Sequence, residues 1–103
     1  MIKHLQELLA IESVANHGEN GTPYGVGPAK ALEYMLTLCE QLGFRTKNAG
    51  GRYGYAEIGA GKEIIGVLGH LDVVPAGSGW DYPPFGGTVD NGCLYGRGTL
   101  DDK

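Results

Sequence analysis

The sequence predicts an α/β fold in which helices pack on a mixed, partly parallel sheet. Two kinds of segment support this prediction: stretches with the 3.6-residue period of amphipathic helices, and short apolar or alternating stretches separated by glycine-rich turns. The stretch 64–69, Ile-Ile-Gly-Val-Leu-Gly, is apolar without alternation. That pattern is typical of a strand covered on both faces, as in a parallel sheet with helices on either side.

Two helices are expected, over about 2–12 and about 28–42. The first shows apolar residues at helical spacing from Ile2 to Leu9. In the second, Pro28 suits a first helical turn, where its missing N–H costs nothing, and Gly43 is a typical C-terminal stop. The apolar stripe of this second helix consists of Leu32, Met35, Leu36, Cys39 and Leu42.

The sheet is expected to contain strands over 44–48, 53–58 and 64–70, and a short strand near 93–96 completes the fold. A turn around Gly50 and Gly51 joins the first two of these strands. The chain has 19 glycines in 103 residues, far above the usual share of about 7%. They lie between the apolar segments without a fixed period, which predicts tight turns and excludes collagen-like repeats.

Composition and charge exclude several classes of protein. The net charge of −4, with lysine and arginine scattered along the chain, argues against a nucleic-acid surface. No apolar run reaches the roughly 18 residues of a membrane span, and the first residues resemble an amphipathic helix more than a secretory signal. Without such a signal, the glycosylation sequon at 20–22 carries little weight. The two cysteines form no CxxC pattern, so we expect reduced thiols and a cytoplasmic location.

The candidate site residues follow the predicted strand 64–70. His70 and Asp72 are two positions apart, so in extended chain their side chains emerge on the same face. Ligands of open α/β sheets gather at the carboxyl ends of strands, and a carboxylate beside an imidazole is a common arrangement at zinc. Asp101 and Asp102 add a second acidic pair. The residues alone leave open a metal site, a structural histidine, and a solvated or helix-capping aspartate pair.

Several motifs together resemble the M20 metallopeptidase family, in particular its PepV-like dipeptidases. The most specific is Gly-Arg-Gly-Thr-Leu-Asp-Asp-Lys at 96–103, about thirty residues after the His-x-Asp motif at 70–72. Further stretches that fit are Gly-His-Leu-Asp-Val-Val-Pro-Ala-Gly at 69–77, Trp80, Pro84-Phe85, Thr-Pro-Tyr-Gly at 22–25, Ala-Lys-Ala-Leu at 29–32 and Gly-Tyr-Ala-Glu at 54–57. The resemblance therefore extends over nearly the whole chain.

This resemblance implies a catalytic domain with two zinc ions, next to a separate lid domain. His70 is then a terminal ligand of one metal, and Asp101 bridges both metals. Asp72 orients His70 and counts as catalytic. The resemblance also implies that the Asp101–Asp102 peptide bond is often cis. Mn²⁺ and Co²⁺ suit the same ligands.

The activity that the resemblance implies is hydrolysis of dipeptides by a metal-activated water, with a glutamate as general base. Substrates are dipeptides or small peptides, and no nucleic acid or membrane partner is expected. We expect residues 1–103 to be the N-terminal part of the catalytic domain, with the lid domain absent. The base and the other ligands would lie after Lys103. The 103-residue chain is therefore expected to be inactive, to bind zinc weakly or not at all, and to self-associate through exposed apolar surface.

Two other functions are compatible with the same residues. One is an M20 amidohydrolase that removes an acyl group from an amino acid, which would use His70, Asp72 and Asp101 in the same roles. The other is a non-enzymatic αβ module whose glycine-rich loops bind a partner. The substrate's side-chain preference, the native metal and the oligomeric state of a full-length enzyme do not follow from the sequence.

Overall fold

A computed structural model describes residues 1–19, 21–101 and 103. The fold is a small α/β arrangement of two helices and two separate antiparallel hairpins. Asn20 of the sequon lies outside the described residues. The expected cis peptide bond does too, because it involves Asp102. In chain order the elements are α1 (Ile2–Leu9), α2 (Val26–Gln41), β1 (Arg45–Ala49), β2 (Tyr53–Glu57), β3 (Thr88–Asp90) and β4 (Cys93–Tyr95). Both predicted helices and the strands near 44–48, 53–58 and 93–96 are confirmed to within a few residues.

The core lies where α1, α2 and the chain at Val73 meet. Its buried apolar side chains are Leu8, Leu9, Ala31, Leu32 and Val73. Leu9 and Ala31 have no exposed surface at all, as expected for the inner faces of two packed helices. Gln6 extends this packing to the second hairpin, because its Nε2 donates to the carbonyl oxygen of Gly87 at 2.7 Å.

A polar contact also joins the two helices on their solvent side. The Tyr34 hydroxyl of α2 donates to Glu7 Oε2 of α1 at 2.8 Å and lies 3.2 Å from the backbone oxygen of His4. Burial, together with this hydrogen bond to a carboxylate, raises the pKa of Tyr34 to about 12. The same hydrogen bond lowers the pKa of Glu7. Both shifts favour the protonated phenol beside the ionised carboxylate.

The raised pKa of Tyr34 predicts a loss of stability at alkaline pH. The unfolded phenol ionises near 10.0 and the folded one near 12, so the folded state holds its proton more tightly in this interval. The stabilisation is complete below pH 10 and should be lost as the pH rises to 12. Urea unfolding between pH 9 and 12 should show this fall for the wild type and a flatter dependence for Tyr34→Phe. Tyr53→Phe, at an exposed position, should keep the wild-type slope; equal slopes for the wild type and Tyr34→Phe would contradict the assignment.

Helix α2 begins against the chain that follows α1 and ends in a glycine cap. A Cβ atom on Gly27 would lie 2.0 Å from the backbone oxygen of Glu12, so only glycine allows this approach. At the other end, Gly43 has φ +88°, its N–H donates to the oxygen of Glu40, and Phe44 N–H donates to the oxygen of Cys39. This is the Schellman pattern. The C-terminal stop predicted at Gly43 is confirmed.

The hairpin β1–β2 packs on α2. Its register pairs Arg45 with Glu57 at one end and Ala49 with Tyr53 at the other, and the turn is held by Gly51 N–H donating to Asn48 Oδ1 at 2.7 Å. Gly54 faces α2 so closely that a Cβ atom there would lie 3.0 Å from side-chain methyl groups of the helix. The hairpin is therefore seated on the apolar stripe of α2.

The second hairpin contains a strand that the sequence-based prediction missed. Strands β3 and β4 pair in the register Thr88 with Tyr95 and Asp90 with Cys93. Asn91 and Gly92 form the turn between them, with φ values of +48° and +79°. Asn-Gly between two short strands is a strong hairpin signal because both residues accept positive φ, so the sequence did contain the evidence for β3.

The predicted buried strand 64–70 is wrong for this structure. Residues 61–70 are all exposed, and no strand is formed there. Ile65 and Leu68 are 97% and 99% exposed. A strand forms only when a neighbour pairs with its N–H and C=O groups, and none of the described strands pairs with this segment. The described residues likewise form no parallel sheet. The isolated bridge between Val14 and Val73 is parallel, but it is not part of a sheet.

The exposed segment also makes the chain less compact than an ordinary domain. The radius of gyration is 14.9 Å, against about 13 Å for a globular domain of this length. Neither helix is long and apolar enough to cross a membrane, among the residues described. Both cysteines are free, with Cys93 exposed.

Candidate metal-binding site

His70 and Asp72 lie side by side, as their spacing predicted, although the segment is not part of a sheet. His70 Nδ1 is 3.5 Å from Asp72 Oδ1 and 3.0 Å from the backbone oxygen of Asp72. A proton on Nδ1 would therefore face two oxygen acceptors of the same residue. In that tautomer the lone pair of the imidazole is on Nε2, the atom that a metal ion needs.

Asp101 faces the other nitrogen of the same imidazole. Its Oδ1 lies 3.6 Å from His70 Nε2, and its side chain is 93% exposed. The three candidate residues are thus brought together although they come from two segments thirty residues apart. His70 is in the middle, with Asp72 on its Nδ1 side and Asp101 on its Nε2 side.

The separation between His70 Nε2 and Asp101 Oδ1 can be compared with zinc coordination. Two ligand atoms about 2.0–2.2 Å from a tetrahedral zinc ion lie roughly 3.3–3.6 Å apart, which matches the 3.6 Å in the structure. The fit is incomplete, since no group of three histidine, cysteine or acidic side chains suitable for a metal occurs within residues 1–19, 21–101 and 103. The described residues therefore supply two ligands of suitable type and spacing.

Ser13 holds the His70–Asp72 segment in place, a role that no sequence pattern indicated. The serine is fully buried. Its hydroxyl donates to the carbonyl oxygen of Leu71 at 2.5 Å, and its own carbonyl oxygen accepts the N–H of Val73 at 3.1 Å. The two residues that flank Asp72 are thus attached to the chain just after α1. A single serine between Glu12 and Val14 has no periodicity that would predict such a contact.

A tight turn presents Asp101. Gly98 has φ +95°, and a Cβ atom there would lie 2.9 Å from Lys103 Cβ and 3.1 Å from Val73 Cγ1. Its carbonyl oxygen accepts the N–H of Lys103 at 2.8 Å. The Lys103 ammonium group donates to the carbonyl oxygen of Ile11, and burial lowers the pKa of this lysine to about 8. The turn is therefore fixed against the same part of the chain that holds Leu71.

Arg97 of the same motif stabilises the irregular chain after Asp72. Its guanidinium group lies 5.2 Å from the centre of the Trp80 ring, within the range of a cation–π contact. Arg97 Nη2 and Trp80 Nε1 both donate to the carbonyl oxygen of Ala76, at 3.2 Å and 2.9 Å. The contacts of Trp80 thus attach this loop to Arg97.

A cavity of about 570 Å³ adjoins His70 and Asp72. It lies between the beginning of α2, the β1–β2 turn and the His70 segment, and its wall includes Tyr24, Arg52 and Tyr53. This volume is within the range of sites for small molecules, about 300–1,000 Å³. The candidate metal ligand therefore borders a space large enough for a small ligand.

Comparison with known proteins finds a family match for the part of the chain that carries these residues. Residues 66–103 match the model of peptidase family M20/M25/M40. This match includes His70, Asp72 and Asp101, and it begins inside the exposed apolar segment. The chain is thus similar to this peptidase family over residues 66–103.

Individual relatives extend the similarity to the whole chain. The chain is 45% identical over 105 aligned residues to "Putative dipeptidase SH1171" of Staphylococcus haemolyticus, and 46% identical to "Putative dipeptidase YtjP" of Bacillus subtilis. Each alignment covers 100% of this chain but 22% or 23% of the relative. The chain thus spans less than a quarter of the length of these curated relatives, and it is homologous to that part of them.

Proposed function

We propose that the chain forms part of the catalytic domain of a zinc-dependent dipeptidase. The observation that carries this proposal is the position of the His70 imidazole, with Nδ1 directed to Asp72 and Nε2 directed to Asp101. The segment with this arrangement matches the M20 family, and the relatives bear the name dipeptidase. Their greater length supports the view that residues 1–103 are one part of a larger catalytic unit without the lid domain.

Each of the three residues has a distinct role in this proposal. Asp72 holds the imidazole with its carboxylate and its backbone oxygen, which keeps the proton on Nδ1 and increases the basicity of Nε2. His70 Nε2 would then be a metal ligand, and the neighbouring carboxylate of Asp101 would be a further ligand of the proposed two-zinc site. When bound, zinc ions would polarise the scissile carbonyl and lower the pKa of a water molecule. Mn²⁺ or Co²⁺ would suit the same donors.

The substrate that we propose is a dipeptide or small peptide. The cavity beside His70 has the capacity for a ligand of this size. Arg52, Tyr24 and Tyr53 line the same cavity as the candidate ligand His70. The free cysteines agree with a reducing compartment such as the cytoplasm.

The 103-residue chain by itself should be inactive. Catalytic zinc sites use three protein ligands and structural sites four, whereas the described residues bring two together. Purified chain should show no hydrolysis of Ala-Ala or β-Ala-His, and calorimetric titration with Zn²⁺ should give a dissociation constant weaker than about 1 μM. Hydrolysis that a chelator abolishes, or tight stoichiometric zinc binding, would contradict this expectation.

The proposal as a whole is tested on the natural gene product that contains residues 1–103. Its reading frame should continue after Lys103, and the purified protein should hydrolyse dipeptides in a reaction that a chelator stops and zinc restores. N-acyl amino acids should be assayed in parallel, because an M20 amidohydrolase would cleave these and spare dipeptides. A reading frame that stops at Lys103, or a protein that cleaves neither class, would refute the enzyme assignment.

A further inference from the structure

We propose that Ser13 is a positioning residue that fixes the tautomer of the His70 imidazole. It acts through the backbone on both sides of Asp72. A hydrogen bond to one ring nitrogen of a histidine decides which nitrogen carries the proton, and therefore which one can bind a metal ion. The effect on the tautomer depends on the geometry of these residues alone, whereas its importance for metal binding rests on the proposed function.

Ser13 binds both peptide groups that flank Asp72. Its hydroxyl donates to the carbonyl oxygen of Leu71 at 2.5 Å, and this oxygen belongs to the peptide group before Asp72. Its own carbonyl oxygen accepts the N–H of Val73 at 3.1 Å, and this N–H belongs to the peptide group after Asp72. Since a peptide group is planar and rigid, the two hydrogen bonds to one serine fix the orientation of the backbone on either side of the aspartate.

The peptide group after Asp72 links Ser13 to the imidazole. In a trans peptide group the N–H and the C=O point in opposite directions, and the described residues contain no cis peptide bond. The N–H of Val73 is directed to Ser13, so the carbonyl oxygen of Asp72 is directed away from it. That oxygen lies 3.0 Å from His70 Nδ1. Ser13 and His70 are therefore at the two ends of one rigid group.

The distances favour this backbone oxygen as the acceptor of the imidazole proton. Hydrogen bonds from N–H to oxygen usually measure about 2.7–3.2 Å, and the 3.0 Å between His70 Nδ1 and the backbone oxygen of Asp72 is within this range. The carboxylate oxygens lie farther away, with Asp72 Oδ1 at 3.5 Å from Nδ1 and Asp101 Oδ1 at 3.6 Å from Nε2. The proton is thus held on Nδ1 mainly by the backbone, whose orientation depends on Ser13.

Burial makes the hydroxyl of Ser13 difficult to replace. Ser13 has no exposed surface, so solvent does not reach the hydroxyl, and its removal leaves the carbonyl oxygen of Leu71 without this donor. Val73 is buried as well, and Val14 and Val73 form a parallel bridge. A change at Ser13 should therefore alter the environment of His70, although the two residues are far apart in the sequence.

The tautomer can be measured on the metal-free natural gene product that contains residues 1–103. Nitrogen NMR of protein with isotope-labelled histidine distinguishes the two tautomers at about pH 8, where an unperturbed imidazole is neutral, and the His70 signals are those absent from His70→Gln. The wild type should carry the proton mainly on Nδ1. In Ser13→Ala this fraction should fall at least about twofold. If Ser13→Ala does not fold, Ser13→Cys, whose thiol is a weaker donor, should show a decrease as well.

Ala31→Gly is the matched control for a loss of stability. Ala31 is also fully buried, and glycine within a helix is destabilising, so this variant loses stability without losing a side-chain hydrogen bond. Its His70 tautomer should be that of the wild type. A wild type with the proton mainly on Nε2 would overturn the proposal. So would equal tautomer fractions in the Ser13 variant and Ala31→Gly.

Zinc affinity separates this inference from the proposed function. In competition with a chromogenic chelator, Ser13→Ala should bind Zn²⁺ about tenfold more weakly than the wild type, at the lower end of the roughly 10–100-fold range for residues that orient a ligand. Ala31→Gly should bind zinc as the wild type does. A natural gene product without measurable zinc affinity would refute the proposed function, and the tautomer measurement would still decide the role of Ser13. Equal zinc affinity of Ser13→Ala and the wild type would refute the link between tautomer and metal binding.

Discussion

His70→Ala is expected to lower the dipeptidase activity that we propose for the natural gene product by at least about 100-fold. Removing a residue that only orients a metal ligand typically costs 10–100-fold in metal affinity or activity, and loss of the ligand itself should cost no less. In the structure His70 is the residue that joins Asp72 to Asp101, through contacts of 3.5 Å and 3.6 Å. Removal of the imidazole therefore abolishes both contacts. Activity and bound zinc should be measured on the same preparations.

Graded substitutions distinguish the proposed roles. Asp72→Asn should lose only 10–100-fold in activity because it keeps the proposed metal ligand His70, and Asp101→Asn should lose more because it removes a carboxylate proposed as a ligand. His17→Ala and Asp81→Asn are matched controls, since both residues are exposed and neither lines the cavity beside His70. Activity of His70→Ala or Asp101→Asn within tenfold of wild type would refute the ligand assignment. An Asp72→Asn protein with unchanged zinc affinity and activity would refute the orienting role.

Gly27→Ala is expected to unfold the 103-residue chain. Alanine in place of glycine within a helix usually stabilises by about 0.5–1 kcal/mol. Here the new Cβ would lie 2.0 Å from the backbone oxygen of Glu12, and no flexible side chain can move aside. Overpacking of this kind costs typically 1–3 kcal/mol, and the five buried apolar residues in the described part of the chain offer little reserve of stability. Circular dichroism during urea titration should show no cooperative transition.

Gly61→Ala provides the control for this substitution. A Cβ atom on Gly61 would have nothing within 4 Å, and the residue has no positive φ, so the variant should unfold at the same urea concentration as the wild type or slightly above it. A Gly27→Ala protein as stable as the wild type would show that α2 can move away from the chain after α1. The close approach would then have no importance for the fold.

Most local elements follow from the sequence because their causes are local. Helix α2 has an apolar stripe and a glycine at its C-terminal end, and the first hairpin has a turn at Gly50 and Gly51. The segment 64–70 was wrongly predicted because strand formation depends on a neighbouring strand, and sequence pattern reports apolar character but not the presence of a neighbour. Strand β3 was missed although Asn91-Gly92 carries the signal for its turn.

The candidate site was likewise predictable from the sequence only in part. The proximity of His70 and Asp72 follows from their i, i+2 spacing, which places neighbouring side chains together in extended chain. That Asp101 belongs with them came from the resemblance to a family, since no local rule connects residues thirty positions apart. The contact of Ser13 with Leu71 was not predictable, because a hydrogen bond of a lone serine leaves no periodic pattern. The metal roles of these residues stay a proposal.

The attachment of Leu71 to Ser13 has a consequence for the order of folding. The hydrogen bond closes a loop of 58 residues, so the His70 segment acquires its position only after most of the chain has been synthesised and the turn after α1 has formed. The entropic cost of such a closure grows only with the logarithm of loop length, about 0.6 kcal/mol for each doubling. Insertions in the exposed stretch before Ile64 should thus be tolerated. Removal of the first thirteen residues would instead delete Ser13, and with it the hydrogen bond to Leu71 that positions the chain beside His70.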